Sequence, residues 1–173
     1  MSSTLIVYYS RKGENYWNGS IRKLERGNTE IVAEMIAGIT GGDLFEVETA
    51  QDYPADYHEC VKVSVEELRS GARPELKRYL DSLDGYDTIF VGYPCWCGTM
   101  PMAMFTFLER YDLRGKKILP FCTNEGSGMG RSESDLKRIC AGATVEAGLS
   151  IHGAEAASSR GAVEAYVKKH VAE

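Results

Sequence analysis

The chain has 173 residues, a length that fits one domain with a substantial buried core. Hydrophobic residues make up 43% and charged residues 26% of the sequence, which is ordinary for a soluble globular protein. The formal net charge of -5 argues against nucleic acid as a partner, because phosphates attract basic surfaces. We therefore expect a single domain over residues 1–173 that binds no nucleic acid.

The amino terminus and the cysteines indicate a cellular compartment. Met1 is followed by small polar residues, without the basic start and separate apolar run of a signal peptide. The apolar run at residues 5–9 is far too short to span a bilayer. The five cysteines are scattered and form no Cys-x-x-Cys pair, so free thiols are expected. These features predict a cytoplasmic protein that does not bind a membrane.

The first predicted elements are an apolar strand and an amphipathic helix. Residues 5–9 lack polar alternation, which is typical of a parallel strand covered on both faces. From Thr29 onward apolar residues recur at helical spacing. Ser10, Asn28 and Thr29 lie where this helix presents unpaired N–H groups and the positive end of its dipole, which suits a phosphate. The alternative is that Asn28 or Thr29 simply caps the helix.

Strands and helices alternate along the rest of the chain. Further strands are predicted at residues 43–47, 87–92, 117–122 and 143–151. Helices are predicted from Tyr53-Pro54, from Pro101, over 135–140 and over 160–171, with a short helical turn over 76–83. The helix that starts near Tyr53 carries an apolar stripe, which is predicted to face inward and consists of Tyr57, Val61, Val65 and Leu68.

This alternation predicts an α/β fold of three layers, a parallel sheet wound on both faces by right-handed crossovers. Ligands of such sheets bind beyond the carboxyl ends of the strands, where the winding direction reverses. Three unusual loops leave carboxyl ends, at residues 10–29, 93–101 and 123–128. If the strand order is 2-1-3-4-5, these loops are neighbours and form one ligand site.

The three loops carry motifs that resemble those of a known family. The motifs are Tyr9-Ser10-Arg11 with Gly27-Asn28-Thr29, Gly92-Tyr93-Pro94-x-Trp96-x-Gly98-Thr99-x-Pro101, and Pro120-Phe121-Cys122-Thr123 with Gly126-Ser127-Gly128. Together they look like the flavodoxin family, in its branch of small flavodoxin-like proteins, from Leu5 to about Gly148. Flavodoxin with FMN is itself the standard illustration of the order 2-1-3-4-5 and its switch-point site. The resemblance implies a five-stranded flavodoxin-like fold and a non-covalently bound FMN.

The resemblance also implies which residues contact FMN. Ser10, Asn28 and Thr29 would hold the phosphate, with Arg11 as a charge partner. One side of the isoalloxazine ring would be wrapped by the loop residues Tyr93, Pro94, Cys95, Trp96, Cys97 and Gly98. The other side would be approached by Thr123, Asn124, Glu125 and Gly126.

Several of these residues allow more than one interpretation. Trp96 either stacks on the flavin or shapes its loop. Glu125 either lowers the flavin potential or relays protons, or it is a solvated loop residue. Family members close the phosphate loop in a few residues, whereas residues 12–26 interrupt it here. We expect this insertion, with Tyr16 and Trp17, to fold over the flavin or its substrate side; the alternative is that it covers the domain surface.

Two functions are compatible with such a site, and a third comes from another class. An electron carrier would pass single electrons between redox partner proteins. An FMN-dependent oxidoreductase would take hydride from NAD(P)H and reduce a small acceptor such as a quinone. The third is a binding module that keeps the fold without the cofactor, against which the three motifs argue. No metal is expected, because Cys95 and Cys97 lack further ligands nearby in sequence. A monomer and a homodimer are both compatible with the sequence.

Overall fold

The computed structural model describes residues 3–171. In chain order its elements are β1 (Thr4–Tyr8), β2 (Gly13–Trp17), β3 (Ser20–Leu24), α1 (Asn28–Thr40), β4 (Asp43–Glu46), α2 (Tyr57–Ser70), β5 (Thr88–Pro94), α3 (Met102–Leu108), β6 (Lys117–Asn124), α4 (Ser132–Ile139), β7 (Thr144–Val145), β8 (Leu149–His152), a 3-10 helix (Gly153–Ser158) and α5 (Arg160–His170). Within this part of the chain, every helix is too short or too polar to cross a membrane.

The central sheet is parallel and confirms the predicted strand order. Its strands run β4-β1-β5-β6, and β7 and β8 both pair with β6. The predicted fifth strand is therefore two short strands. Residues 146–148 separate them, and the Gly148 amide there donates to the Glu133 carboxylate at 2.6 Å instead of continuing a strand ladder.

Helices cover both faces of the sheet. On β1, Leu5 and Val7 belong to a core cluster with α3 and Leu136 of α4. Ile6 and Tyr8 belong to a second cluster with α1 and α5. Successive residues of a strand point to opposite faces, so a strand buried on both faces reads as an uninterrupted apolar run. This is the physical basis of the correct strand assignment at residues 5–9.

The insertion between β1 and α1 forms a β-hairpin, for which the sequence analysis assigned no strands. Strands β2 and β3 pair antiparallel in a sheet of their own. Asn18 and Gly19 join them with φ values of 52° and 87°. Positive φ at both central residues defines the type I′ turn that suits the twist of a hairpin, and Asn-Gly is its preferred sequence. The signal was therefore present in the sequence.

Residues 76–83 contain no helix, contrary to the prediction. Leu76 instead forms an antiparallel bridge with Thr49, and backbone hydrogen bonds join Ala50 N to Glu75 O and Lys77 N to Glu48 O. The backbone groups that a helix would use internally are thus paired with the segment that follows β4. Pairing between segments about 27 residues apart overrides the local helical tendency.

The inward face of α2 also differs from the predicted stripe. Val61 and Val65 are 38% exposed each, whereas Cys60 and Ser64 are buried. Leu68 does pack against the core, as predicted. The buried face is thus Cys60, Ser64 and Leu68, which are spaced at i, i+4 and i+8. The small side chains of Cys60 and Ser64 let the helix approach the 95–98 loop closely. Ser64 Oγ lies 3.7 Å from Cys97 Sγ in that loop.

Two glycines give opposite predictions for stability. A Cβ at Gly92 in β5 would overlap the ring of the fully buried Phe121, so we expect Gly92→Ala to lower the free energy of unfolding by about 1–3 kcal/mol. Gly38 lies within α1, and an added Cβ there would meet open space. Gly38→Ala is therefore expected to raise the free energy of unfolding by roughly 0.5–1 kcal/mol. Urea unfolding of both variants checks this, and equal shifts would contradict the packing at Gly92.

Candidate functional site

A cavity of about 380 Å³ lies at the carboxyl ends of the central strands. Its walls come from β5, β6 and the loops after them, the start of α1, hairpin β2–β3 and α2. The lining residues are Arg11, Asn15, Tyr16, Asn28, Tyr57, Cys60, Val61, Ser64, Pro94, Cys95, Trp96, Cys97, Thr123, Asn124, Glu125, Ser127 and Gly153. The place is the one expected for a ligand of a doubly wound sheet.

The amino-terminal end of α1 is packed tightly against the end of β1. Ser10 Oγ accepts a hydrogen bond from the Glu30 amide at 3.1 Å. A Cβ at Gly27 would overlap Ser10 Oγ and lie 2.8 Å from the Arg11 carbonyl oxygen, so only glycine fits there. Close approach of the loop backbone to the helix start is what the Gly27 position makes possible.

Asn28, the first residue of α1, presents a polar atom without a partner. Its Oδ1 is buried and has no hydrogen-bond partner among the described residues, although the side chain lines the cavity. Its Nδ2 packs closely on the 3-10 helix, where a Cβ at Gly153 would lie only 2.6 Å away. A buried amide oxygen without a partner costs free energy, which a ligand in the cavity would recover.

Thr29 lies outside the cavity lining. Its hydroxyl lies 2.8 Å from the hydroxyl of Thr123 at the end of β6, and its side chain is buried. This bond fixes the start of α1 against β6. Ser10 also lies outside this lining and borders a neighbouring cavity of about 600 Å³. Neither side chain therefore forms part of the cavity wall.

The loop after β5 turns sharply at the cavity. The backbone groups of Trp96 and Thr99 bond in both directions, N to O at 2.8 Å and 3.2 Å. Between them Cys97 and Gly98 have φ values of 55° and 84°. Positive φ at Cys97 is strained for a residue that is neither glycine nor asparagine, and such strain is concentrated at ligand sites.

The indole of Trp96 is held from behind by two tyrosines. Its ring meets Tyr9 at 5.2 Å and Tyr53 at 5.0 Å, both edge to face. Tyr53 in turn donates a hydrogen bond from its hydroxyl to the Glu67 carboxylate at 2.7 Å. Trp96 also lines the cavity. The indole therefore forms a fixed aromatic wall.

Cys95 has an unusual thiol environment. Hydrogen bonds from the thiol of Cys122 lower the pKa of the Cys95 thiol to about 6, with smaller contributions from the Ser127 hydroxyl and the Gly98 backbone. The Cys122 pKa is raised, because its proton is held by Cys95 and its side chain is buried. Cys95 lines the cavity, and these hydrogen bonds favour its thiolate form. All five cysteines are free, as predicted.

The hairpin lies against the start of α2 and the loop after β6. The Tyr16 ring stacks on Tyr57 with centroids 4.6 Å apart. The Gly19 amide donates to Glu125 Oε1 at 3.2 Å. Tyr16 therefore lies over the cavity as expected, whereas Trp17 points elsewhere and stacks with the Arg22 guanidinium at 4.6 Å.

The structure brings together most of the sequence-predicted site residues. Those that line the cavity are Arg11, Asn28, Pro94, Cys95, Trp96, Cys97, Thr123, Asn124 and Glu125. Those outside its lining are Ser10, Thr29, Tyr93, Gly98 and Gly126. Tyr93 is fully buried and donates its hydroxyl hydrogen to Ser132 Oγ at 2.8 Å, so its side chain belongs to the core.

Other lining residues were missed by the sequence analysis. They include Tyr57, Cys60, Val61 and Ser64 from α2, and Gly153 from the 3-10 helix. The α2 residues carry no local signal, because their place depends on which side of the helix meets the loop after β5. Gly153 follows β8 directly, and the splitting of the fifth strand concealed its position.

Comparisons with known proteins agree with this architecture. A family model described as Flavodoxin matches residues 24–170, from the last residue of β3 to the end of α5. No curated protein matches the sequence. A candidate flavoprotein of known structure from Bacteroides uniformis is 30% identical, with a TM-score of 0.78 and coverage of 96% of this chain and 98% of that one.

Two further solved structures are similar. One, a candidate flavoprotein from Bacteroides eggerthii, is 26% identical with a TM-score of 0.79, and both chains are fully covered at 100%. A flavoprotein from Lactobacillus acidophilus, solved in complex with FMN, is 24% identical with a TM-score of 0.64 and coverage of 90% and 96%, and is similar in fold. The family model covers most of the chain, and the Bacteroides uniformis structure aligns with 96% of it. The chain therefore belongs to the flavodoxin family.

Proposed function

We propose that the chain binds FMN non-covalently in this cavity and uses it for oxidoreduction. The observation that supports this best is the unpartnered Asn28 Oδ1 at the start of α1, in the same cavity as the aromatic wall of Trp96. One end of the cavity thus offers polar groups at a helix terminus, and another offers a flat apolar surface. FMN has a phosphate and a flat ring system, and a related protein is known in complex with it.

The helix end fits a phosphate. The backbone N–H groups at the start of α1 and its dipole favour an anion, and Arg11 lines the same cavity. A phosphate needs a donor, so the Asn28 side chain would bind it by rotating its amide by about 180°, which directs the NH₂ group to the position of the unpartnered Oδ1. Ser10 would act by holding the Glu30 amide and so fixing the helix start.

The other end fits a ring system. Pro94, Trp96 and Cys97 line the cavity at the end of β5, and Thr123, Asn124 and Glu125 line it at the end of the neighbouring strand β6. Bound FMN supplies hydride and electron transfer, whereas the protein sets its potential through nearby charge and hydrogen bonds. The Cys95 thiolate and the Glu125 carboxylate both line the cavity and would oppose negative charge gained on reduction.

We propose NAD(P)H as the electron donor and a small molecule such as a quinone as the acceptor. Support comes from the hairpin, because Asn15 and Tyr16 line the cavity and limit the approach of large partners. A second candidate is an electron carrier that docks on redox proteins. The net charge of -5 favours this second function, since it attracts basic partners.

FMN binding is the first test. Titration of the FMN-free protein, followed by the loss of flavin fluorescence, is expected to show stoichiometric binding. Asn28→Ala is expected to weaken the affinity by about tenfold or more, because it removes a hydrogen bond to a charged group. Gln51→Ala is the control, since Gln51 is an exposed amide outside the cavity lining. Equal affinities of Asn28→Ala and the control would contradict the assigned phosphate end.

The electron donor and acceptor are tested by steady-state kinetics. Aerobic oxidation of NADH or NADPH by the FMN-loaded protein, with a quinone and without a partner protein, is expected if the chain is an oxidoreductase. If the nicotinamides are not oxidised, while the reduced protein passes electrons to a basic redox protein, the chain is an electron carrier and not an NAD(P)H-dependent oxidoreductase. Loss of rate at high salt would accompany the carrier outcome alone.

The Cys95 thiolate gives a prediction of pH dependence. Because its pKa is lowered to about 6, iodoacetamide is expected to alkylate Cys95 in the FMN-free protein with a rate midpoint near pH 6. An ordinary thiol has its midpoint near about pH 8.5. Bound FMN is expected to slow this reaction.

Peptide mapping by mass spectrometry gives the rate for each cysteine separately. Ser127→Ala removes one hydrogen bond to the thiolate and should raise the midpoint. A midpoint for Cys95 above pH 8 in the unmodified chain would show that its pKa is not lowered. A rate that FMN leaves unchanged would show that Cys95 does not lie at the cofactor site.

A further inference from the structure

The two ends of the hairpin are held in different ways. At its base, Arg11 Nη2 donates to the carbonyl oxygens of Pro54 at 3.0 Å and Ala55 at 3.1 Å. The Glu14 carboxylate accepts a hydrogen bond from the Tyr57 amide at 2.7 Å. The backbone groups in these bonds belong to the segment 54–57, where α2 begins. The base is therefore fixed to a regular element of the fold.

The tip, Asn18 and Gly19, is held through side chains. The Gly19 amide donates to Glu125 Oε1 at 3.2 Å. Asn18 Oδ1 lies 2.9 Å from His152 Nε2, and the same His152 nitrogen lies 3.5 Å from Glu125 Oε2. Glu125 follows β6 and His152 ends β8, so the tip is fastened to the end of the central sheet, whereas the base is fastened to the segment that leads into α2.

The hairpin depends on these attachments for its position. Its strands pair with each other and not with the central sheet, and four of the five β3 residues are exposed. An isolated two-stranded hairpin is at best marginally stable in water. The stacking of Tyr16 on Tyr57 lies one residue pair below the turn, so this stack and the tip contacts together hold the outer half of the hairpin. Loss of the tip contacts leaves the stack as the remaining attachment of this half.

We infer that Glu125 is a positioning residue whose carboxylate holds the hairpin tip over the cavity and thereby restricts the site to small-molecule substrates. One carboxylate oxygen fixes the Gly19 amide, and the other faces His152, which orients Asn18. With the tip in place, the surface offered to a large partner is the outer side of the hairpin. The restriction on substrates rests on the proposed function, whereas the holding of the tip does not.

The side-chain chemistry of Glu125 gives a graded series of variants. Glu125→Gln keeps a neutral acceptor for the Gly19 amide and loses the charge that faces His152. Glu125→Ala loses both. The matched control is Glu155→Ala, which removes an exposed carboxylate from the neighbouring 3-10 helix outside the cavity lining. Asn18→Gly loosens the tip without changing the cavity wall, and glycine keeps the positive φ of the turn.

The first measurement is hydrogen–deuterium exchange of the segment 13–24 in FMN-free protein. Exchange is expected to be roughly threefold to tenfold faster in Glu125→Ala than in the unmodified chain, as for the loss of one or two hydrogen bonds. Glu125→Gln should be intermediate, and Glu155→Ala unchanged. Equal thermal unfolding midpoints would show that the opening is local. Unchanged exchange in Glu125→Ala overturns the inference.

The second measurement tests access to the site. FMN-loaded variants are compared for reduction of a small quinone and of cytochrome c, a protein acceptor. The ratio of the cytochrome c rate to the quinone rate should rise at least roughly threefold in Glu125→Ala and in Asn18→Gly, following the exchange result. A constant ratio despite faster exchange overturns the restriction on substrates. A chain that binds no FMN contradicts the proposed function and leaves the exchange result to judge the role of Glu125.

Discussion

Parallel pairing of β1, β5 and β6 is the constraint on which the site depends. The ladder extends beyond the strands, because Tyr9 N donates to Gly92 O at 3.0 Å and Cys95 N donates to Thr123 O at 2.9 Å. The loops therefore leave the sheet from fixed positions. Since parallel strands all end at the same edge, residues far apart in sequence form one cavity. A shift in register would separate the helix start at Asn28 from the turn at Cys97.

The cavity combines a rigid floor with a cover that is less firmly held. Trp96 packs between Tyr9 and Tyr53, and the hydroxyl groups of Thr29 and Thr123 bond to each other, so the walls are fixed by contacts within the protein. The hairpin, in contrast, has its own sheet and few buried residues. Preformed walls reduce the entropy lost on binding, whereas a weakly held cover lets a ligand pass.

Negative charge is concentrated at the cavity by two different means. Glu125 contributes a carboxylate that is placed by its contact with the hairpin tip. The thiolate form of Cys95 is favoured because hydrogen bonds from Cys122 and Ser127 lower the pKa of its thiol. Arg11 also lines the cavity, and its bonds to the carbonyl oxygens of Glu14, Pro54 and Ala55 fix its position without removing its charge. Glu125 and Cys95 would disfavour negative charge on a group bound beside them, whereas Arg11 would favour an anion.

The sequence by itself determined that the central strands are parallel and that three unusual loops leave one edge of the sheet, because apolar runs without alternation indicate strands buried on both faces. The strand order came from the resemblance to the flavodoxin family. The sequence also held an unused Asn18-Gly19 signal for the hairpin. Only the tertiary structure decided that Cys60 and Ser64, rather than Val61 and Val65, face inward on α2, and that Cys122 lies where it lowers the pKa of Cys95. The physical reason is that periodicity defines a face of a helix only relative to its neighbours, and hydrogen bonds between strands depend on register, which a local sequence pattern does not encode.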